Sequence, residues 1–199
     1  LTFGGDLFDT ERDADALRPQ LRDAFHGNKY DIVAIPGNHD SQAYSRNLDF
    51  GSDLKIATDL PFSTFTFGNV SLVAVPYRDK PDDSLIAALR NTAKESETNI
   101  LLLHCTLDMG FSFGEFGDEQ ARNYFPIAQA TLSRLGYDFI LAGHFHARSC
   151  HRYLEGGCHF LYPGSPVSLS EKETGKRQCF LVDTSTETVE SIPLNTFYY

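Results

Sequence analysis

Two histidines one residue apart, His144 and His146, stand at the end of the apolar run "YDFILAG" in the stretch "AGHFHA". On a strand such a pair shares a face, and in a tight loop after the strand the two rings can converge on one point. Three other polar groups recur at the same kind of place, just past an apolar run with strand character. They are Gly5-Asp6 in "GGDLFD", Asn38-His39-Asp40 in "IPGNHD", and His104 in "LLLHC". Open α/β sheets bind ligands at the C-terminal edge of their strands, so four such events predict one shared site. Each alone has a plainer reading, because "PGN" makes a good turn and a single histidine after a strand is commonly a core residue. Together, one carboxylate, one amide oxygen and three imidazoles form a mixed donor set that suits manganese, iron or zinc better than calcium or magnesium. A carboxylate can bridge two ions, and paired ions about 4 Å apart clamp a phosphoryl group and generate hydroxide at neutral pH. Five ligands are too few to fill two metal spheres.

The elements that must position these groups alternate along the chain. "LTFGGDLFD" reads as a strand end running into a loop, and "TERDADALRPQLRDAF" as a helix with Leu17, Leu21 and Phe25 on one face and His26-Gly27 as its stop. "YDIVAIPG" and "TNILLLHC" are continuous apolar strands of the kind buried on both faces. "FSTFTFGNVSLVAVPY" predicts two strands around a Gly68-Asn69 turn. "DDSLIAALRNTAKES" and "FPIAQATLSRLG" predict helices, the second closed by Gly136. From residue 148 the chain turns to β structure in "CHRYLEGGCHFLY" and "RQCFLVDTSTETVESIPL". Strand–helix alternation followed by β meanders predicts an α/β layered domain built on two sheets.

The 199 residues make one domain with a real core, and no run approaches the length of a membrane span. No secretory signal is visible in "LTFGGD", so a cytoplasmic protein without membrane contact is expected. Four cysteines show no CxxC pair; Cys105 and Cys179 lie in apolar runs and read as reduced core residues. Cys150-His151 and Cys158-His159 flank Gly156-Gly157, which favours a hairpin over a zinc site. The formal net charge of −10 argues against tight binding to a polyanion by the bare surface, and only "EKETGKR" (171–177) gathers basic residues. Metal ions at a site would invert that sign locally.

The ordered set "GD…GNHD…H…GHxH" resembles the signature of the calcineurin-like metallophosphoesterases across essentially the whole chain. "YFPIAQATLSRLGYDFILAGHFH" and "YPGSPVSLSEKETGKRQCFLVD" resemble more narrowly the bacterial DNA-repair exonucleases of the SbcD type and their eukaryotic relatives. The resemblance implies an αββα fold, with two mixed β-sheets packed as a sandwich and flanked by helices. It implies two divalent ions, manganese first with iron or zinc as substitutes, and phosphodiester cleavage by a hydroxide that the ions activate. Asp6 would bridge the ions, Asn38, His104 and His144 would complete one metal site, and His146 would belong to the other. His39 would be the non-ligand histidine near the leaving oxygen, oriented and polarised by Asp40, and Asp9 would lie near the substrate. Members of this branch act on DNA as dimers with a coiled-coil ATPase of the SbcC type.

The family's first strand carries an Asp-x-His motif that supplies further ligands to the site using His146. Here Asp6 stands five residues from the start and that motif is absent. The expectation is therefore an N-terminally truncated catalytic domain over 1–199, without a capping domain, binding one ion well and the second poorly, with little activity. After His104, Phe111, Phe113 and Phe116 lie in a long connection where they either pin the loop to the core or stack on a base. Two other functions share the scaffold: a phosphatase or phosphodiesterase for small substrates, and a catalytically silent binding module. Fold and metals do not separate them.

Overall fold

The computed structural model describes residues 1–44, 48–93, 98–108, 124–147 and 149–199. Three short strands, β1 (Thr2–Phe3), β2 (Ile32–Ala34) and β3 (Leu54–Ile56), pair in parallel in the order β1-β2-β3. The second sheet has six strands: β4 (Ser63–Phe67), β5 (Val70–Ala74), β6 (Thr98–His104), β9 (Phe139–Gly143), β10 (Cys150–Tyr153) and β11 (His159–Tyr162). Its order is β10-β11-β9-β6-β5-β4, with the inner four parallel and the two edges antiparallel. The larger sheet is mixed as expected. The smaller is all-parallel among the described strands, because each of its strands arrives by a crossover rather than a hairpin.

Alternation along the inner strands explains the layers. Leu72 and Ala74 of β5 and Leu102 of β6 meet Val33, Ile35 and Ala57 in the core between the sheets. Their neighbours Val73, Leu101 and Leu103 point the other way, with Ile140 and Phe160, onto Leu85 and Leu89 of α2 (Asp83–Thr92) and onto Leu132. Both faces of these strands are buried, which is why they read as unbroken apolar runs. Outside the small sheet lies α1 (Glu11–Ala24), capped by Thr10, whose side chain accepts from the Asp13 amide. The sandwich flanked by helices is thus present.

Three local expectations differ. Leu17 is 46% exposed; α1 instead buries Ala14 and rests Leu21 on a cluster with Phe8, Tyr44 and Phe50. "FPIAQATLSRLG" begins as strand β8 (Pro126–Ala128), paired in parallel with β7 (Thr106–Asp108), and only Gln129–Leu132 forms a helix, α3. Cys179 is exposed on the hairpin of β12 (Gln178–Asp183) and β13 (Thr188–Pro193), while Cys105 is buried as expected. The Gly68-Asn69 and Gly156-Gly157 connections both close antiparallel pairs.

The two sheets converge at their C-terminal edges. His104 pairs with Gly143 in register, so the ends of β6 and β9 are level. A Cβ on Gly143 would overlap the carbonyl oxygen of Gly4, so only glycine lets the end of β1 pass this close. Tyr162, fully buried, donates its hydroxyl to the Cys105 carbonyl and accepts from the Leu107 amide, fixing the chain just beyond His104.

Candidate metal centre

Gly5 and Asp6 take positive φ in succession, +97° and +54°, and this turn brings the Asp6 carboxylate back under the strand edges. At Gly5 a Cβ would lie 2.6 Å from His104 Nδ1, so the turn also needs glycine for space. The His39 amide donates to Asp6 Oδ1 at 2.9 Å. Asp6 Oδ2 is buried without a hydrogen-bond partner and lies 3.3 Å from His104 Nε2. Burial works to raise the Asp6 pKa, but adjacent His104 and the His39 amide outweigh it and hold the carboxyl below its usual range.

The His104 ring is fixed at both ends. Nδ1 lies 2.7 Å from the Gly4 carbonyl, which can only accept, so this nitrogen carries a proton. Nε2 then faces Asn38 Oδ1 at 2.8 Å as well as Asp6 Oδ2. Asn38 Oδ1, His104 Nε2 and Asp6 Oδ2 are thereby gathered at one point, three atoms of the kind that ligate a divalent cation.

His144 completes the group. It is 3% exposed, has φ +118°, and neither ring nitrogen has a hydrogen-bond partner. Burial, then the nearby charge of His104, lower its pKa to about 3, so the ring is neutral with a lone pair to give. Donor atoms of Asp6, His104 and His144 lie within 4.8 Å of one another. Buried polar atoms without partners are costly, and convergent ones of this chemistry fit a divalent transition ion. With Asn38 the donors number four, and they fit one ion.

The remaining expected residues are placed differently. His146 does not join this group; its Nδ1 lies 3.9 Å from Glu173 Oε1, and a second ion would have Asp6 and His146 as its expected ligands. Asp40 is not the carboxylate on His39. It is fully buried: its Oδ1 accepts from the Gly37 amide at 2.7 Å, and its Oδ2 accepts from the Leu7 amide at 2.8 Å and the Tyr44 hydroxyl at 2.7 Å. It ties the Asp6 loop to the Asn38 loop, and burial pushes its carboxyl above the usual range despite these donors. The oxygen 3.0 Å from His39 Nδ1 belongs to Asp9. The His39 ring is partly open to solvent. Phe111, Phe113 and Phe116 lie outside the described residues.

Two further aromatic residues border the cluster. Tyr77 packs edge-on against His104 and Tyr124 edge-on against His144, with the two tyrosines in contact. Tyr77 follows β5 in "AVPY", the same strand-end position that marks the other site residues, and that signal could have found it. Glu173 sits in a mixed-charge run that reads as solvated surface, and nothing in the sequence singles it out.

A family model of the calcineurin-like phosphoesterases matches residues 1–148. A probable exonuclease subunit 1 of Escherichia phage T5 is 39% identical over 61 residues, 29% of this chain and 18% of that protein. The chain thus matches under a fifth of that relative's length. A solved crystal structure superimposes with a TM-score of 0.58 at 11% identity, covering 93% of this chain and 72% of the other, and at that identity the likeness concerns the fold. Among the described residues, no helix is long and apolar enough to cross a membrane.

Proposed function

The chain belongs to the calcineurin-like phosphoesterases, a family of metal-dependent phosphoester hydrolases, and on that premise we propose that it is the nuclease part of a manganese-dependent DNA exonuclease. The observation that carries the reading is that donor atoms of Asp6, His104 and His144 lie within 4.8 Å of one another, with Asp6 Oδ2 and both His144 nitrogens buried without partners and Asn38 Oδ1 2.8 Å from His104 Nε2. When bound there, divalent ions supply positive charge to phosphoryl oxygens and lower the pKa of bound water.

The chain's own residues do the rest. The His39 amide holds Asp6 Oδ1, leaving Oδ2 for the ion. Asp9 holds His39 at Nδ1, and the partly exposed His39 ring is the group that delivers a proton to the leaving oxygen. His144 reaches the site already neutral, so no proton need leave before it ligates.

The choice of DNA rests on the partial match to the phage exonuclease subunit and on the "YPGSP" segment. A homodimer and a coiled-coil ATPase partner are proposed along with that branch. The net charge of −10 favours a second reading, hydrolysis of small phosphodiesters.

The test uses the intact gene product in Mn²⁺, comparing end-labelled linear duplex DNA with bis(p-nitrophenyl) phosphate. The nuclease reading expects DNA degradation that His39→Ala removes. Turnover of the small ester without DNA cleavage would replace it with the second reading, and silence on both would leave a binding module.

A further inference from the structure

The loop from 163 to 177 grips the chain that carries His146. The Ser165 amide donates to the His146 carbonyl at 3.1 Å. Arg177, 3% exposed, donates through Nη2 to the Ala147 carbonyl at 2.8 Å and through Nη1 to the Glu173 carbonyl at 3.4 Å. Its guanidinium therefore bridges the two segments. Glu173 is itself 4% exposed. Its Oε2 accepts from the Leu169 amide at 3.1 Å and lies 3.1 Å from the Ser165 hydroxyl. Its Oε1 lies 3.9 Å from His146 Nδ1.

A buried carboxylate is expensive and persists where its charge is used. Here one oxygen is held by the loop and the other is turned towards an imidazole at ion-pair range, about 1 Å beyond a hydrogen bond. Metal-ligating histidines commonly donate their second N–H to such a carboxylate, which fixes the tautomer and leaves the opposite nitrogen to ligate. We propose that Glu173 is a positioning residue for His146, holding its ring in the Nδ1–H tautomer so that Nε2 is the nitrogen offered to a metal. This rests on the reading of His146 as a ligand of the second ion.

Long-range ¹H–¹⁵N correlation spectra of the metal-free protein, at a pH where imidazole is neutral, report the tautomer directly. The wild type should show His146 with its proton on Nδ1. In Glu173→Gln the carbonyl oxygen is taken by the Leu169 amide and the NH₂ is presented to Nδ1, so His146 should move to the Nε2–H form. A merely structural glutamate would not move that signature. An Nε2–H form in the wild type, or an unchanged Nδ1–H form in the variant, would overturn the proposal, and the wild-type spectrum decides even if the variant does not fold. Mn²⁺ calorimetry then tests the reading beneath it. The weaker ion should bind about 10- to 100-fold less tightly in Glu173→Gln, and His146→Ala should lose it. Unchanged binding in His146→Ala would remove His146 from the metal site whatever the tautomer shows.

Discussion

His144→Asn tests the electrostatics of the centre without any metal. The wild-type ring resists protonation down to about pH 3, because burial, and then the charge of His104, oppose the imidazolium. In the unfolded chain the same ring takes up a proton near pH 6.5. Between those values the unfolded state binds more protons than the folded one, so this group makes stability fall as the pH falls. Each pH unit is worth about 1.4 kcal/mol, so His144 alone costs about 3 kcal/mol between pH 6.5 and pH 4. Asparagine tolerates the positive φ at this position better than most residues and cannot titrate. Urea unfolding in the presence of a chelator, at pH 7 and pH 4, gives the comparison. Carboxylates titrate alike in both proteins, so the variant should lose about 3 kcal/mol less than the wild type over this interval. Equal losses would mean that the ring is not held neutral, and the argument that it offers a lone pair would fail.

Other substitutions separate the roles assigned to neighbouring groups. Asp40→Asn turns an amide NH₂ onto a backbone or hydroxyl donor in a buried loop junction, and should cost about 3 kcal/mol in denaturant unfolding. Asp9→Asn should leave stability nearly unchanged, because the His39–Asp9 pair is largely exposed. It should nevertheless lower kcat of the proposed hydrolysis about 10- to 100-fold with little change in KM. If Asp40→Asn and Asp9→Asn exchanged these effects, the structural assignment of the carboxylate on His39 would be wrong. Gly143→Ala drives a Cβ into the Gly4 carbonyl, and should cost about 1–3 kcal/mol and weaken Mn²⁺ binding by shifting the Asp6 loop; unchanged calorimetry would contradict the close approach.

Much of this centre was legible because its residues sit where apolar runs end. Asn38, His104 and His144 each follow a strand whose burial writes an unbroken hydrophobic stretch, and parallel pairing levels the ends of β6 and β9, while Asp6 follows only the two-residue, half-buried β1. The hairpins at Gly68-Asn69 and Gly156-Gly157 were equally plain, since turn residues separate the paired runs. What the sequence hid depends on loop path. Asp40 is adjacent to His39, but the turn at Gly5 and Asp6 brings the amides of Leu7 and Phe8 over Asp40 and leaves His39 to Asp9. Leu132 keeps helical spacing with its neighbours, yet Pro126–Ala128 is captured as a strand by β7, a tertiary pairing no local period reveals. Glu173 looks like surface in "EKETGKR", and only the folding of that loop onto Ala147 buries it.

Asp6, Asn38, His104 and His144 are the residues proposed to hold a divalent ion. Crystals of the protein grown with Mn²⁺, measured for anomalous scattering, test that assignment most directly. A peak is expected within ligating distance of Asp6 Oδ2, Asn38 Oδ1, His104 Nε2 and a His144 ring nitrogen. Manganese seated elsewhere, with these four side chains closed on one another through protons, would contradict it.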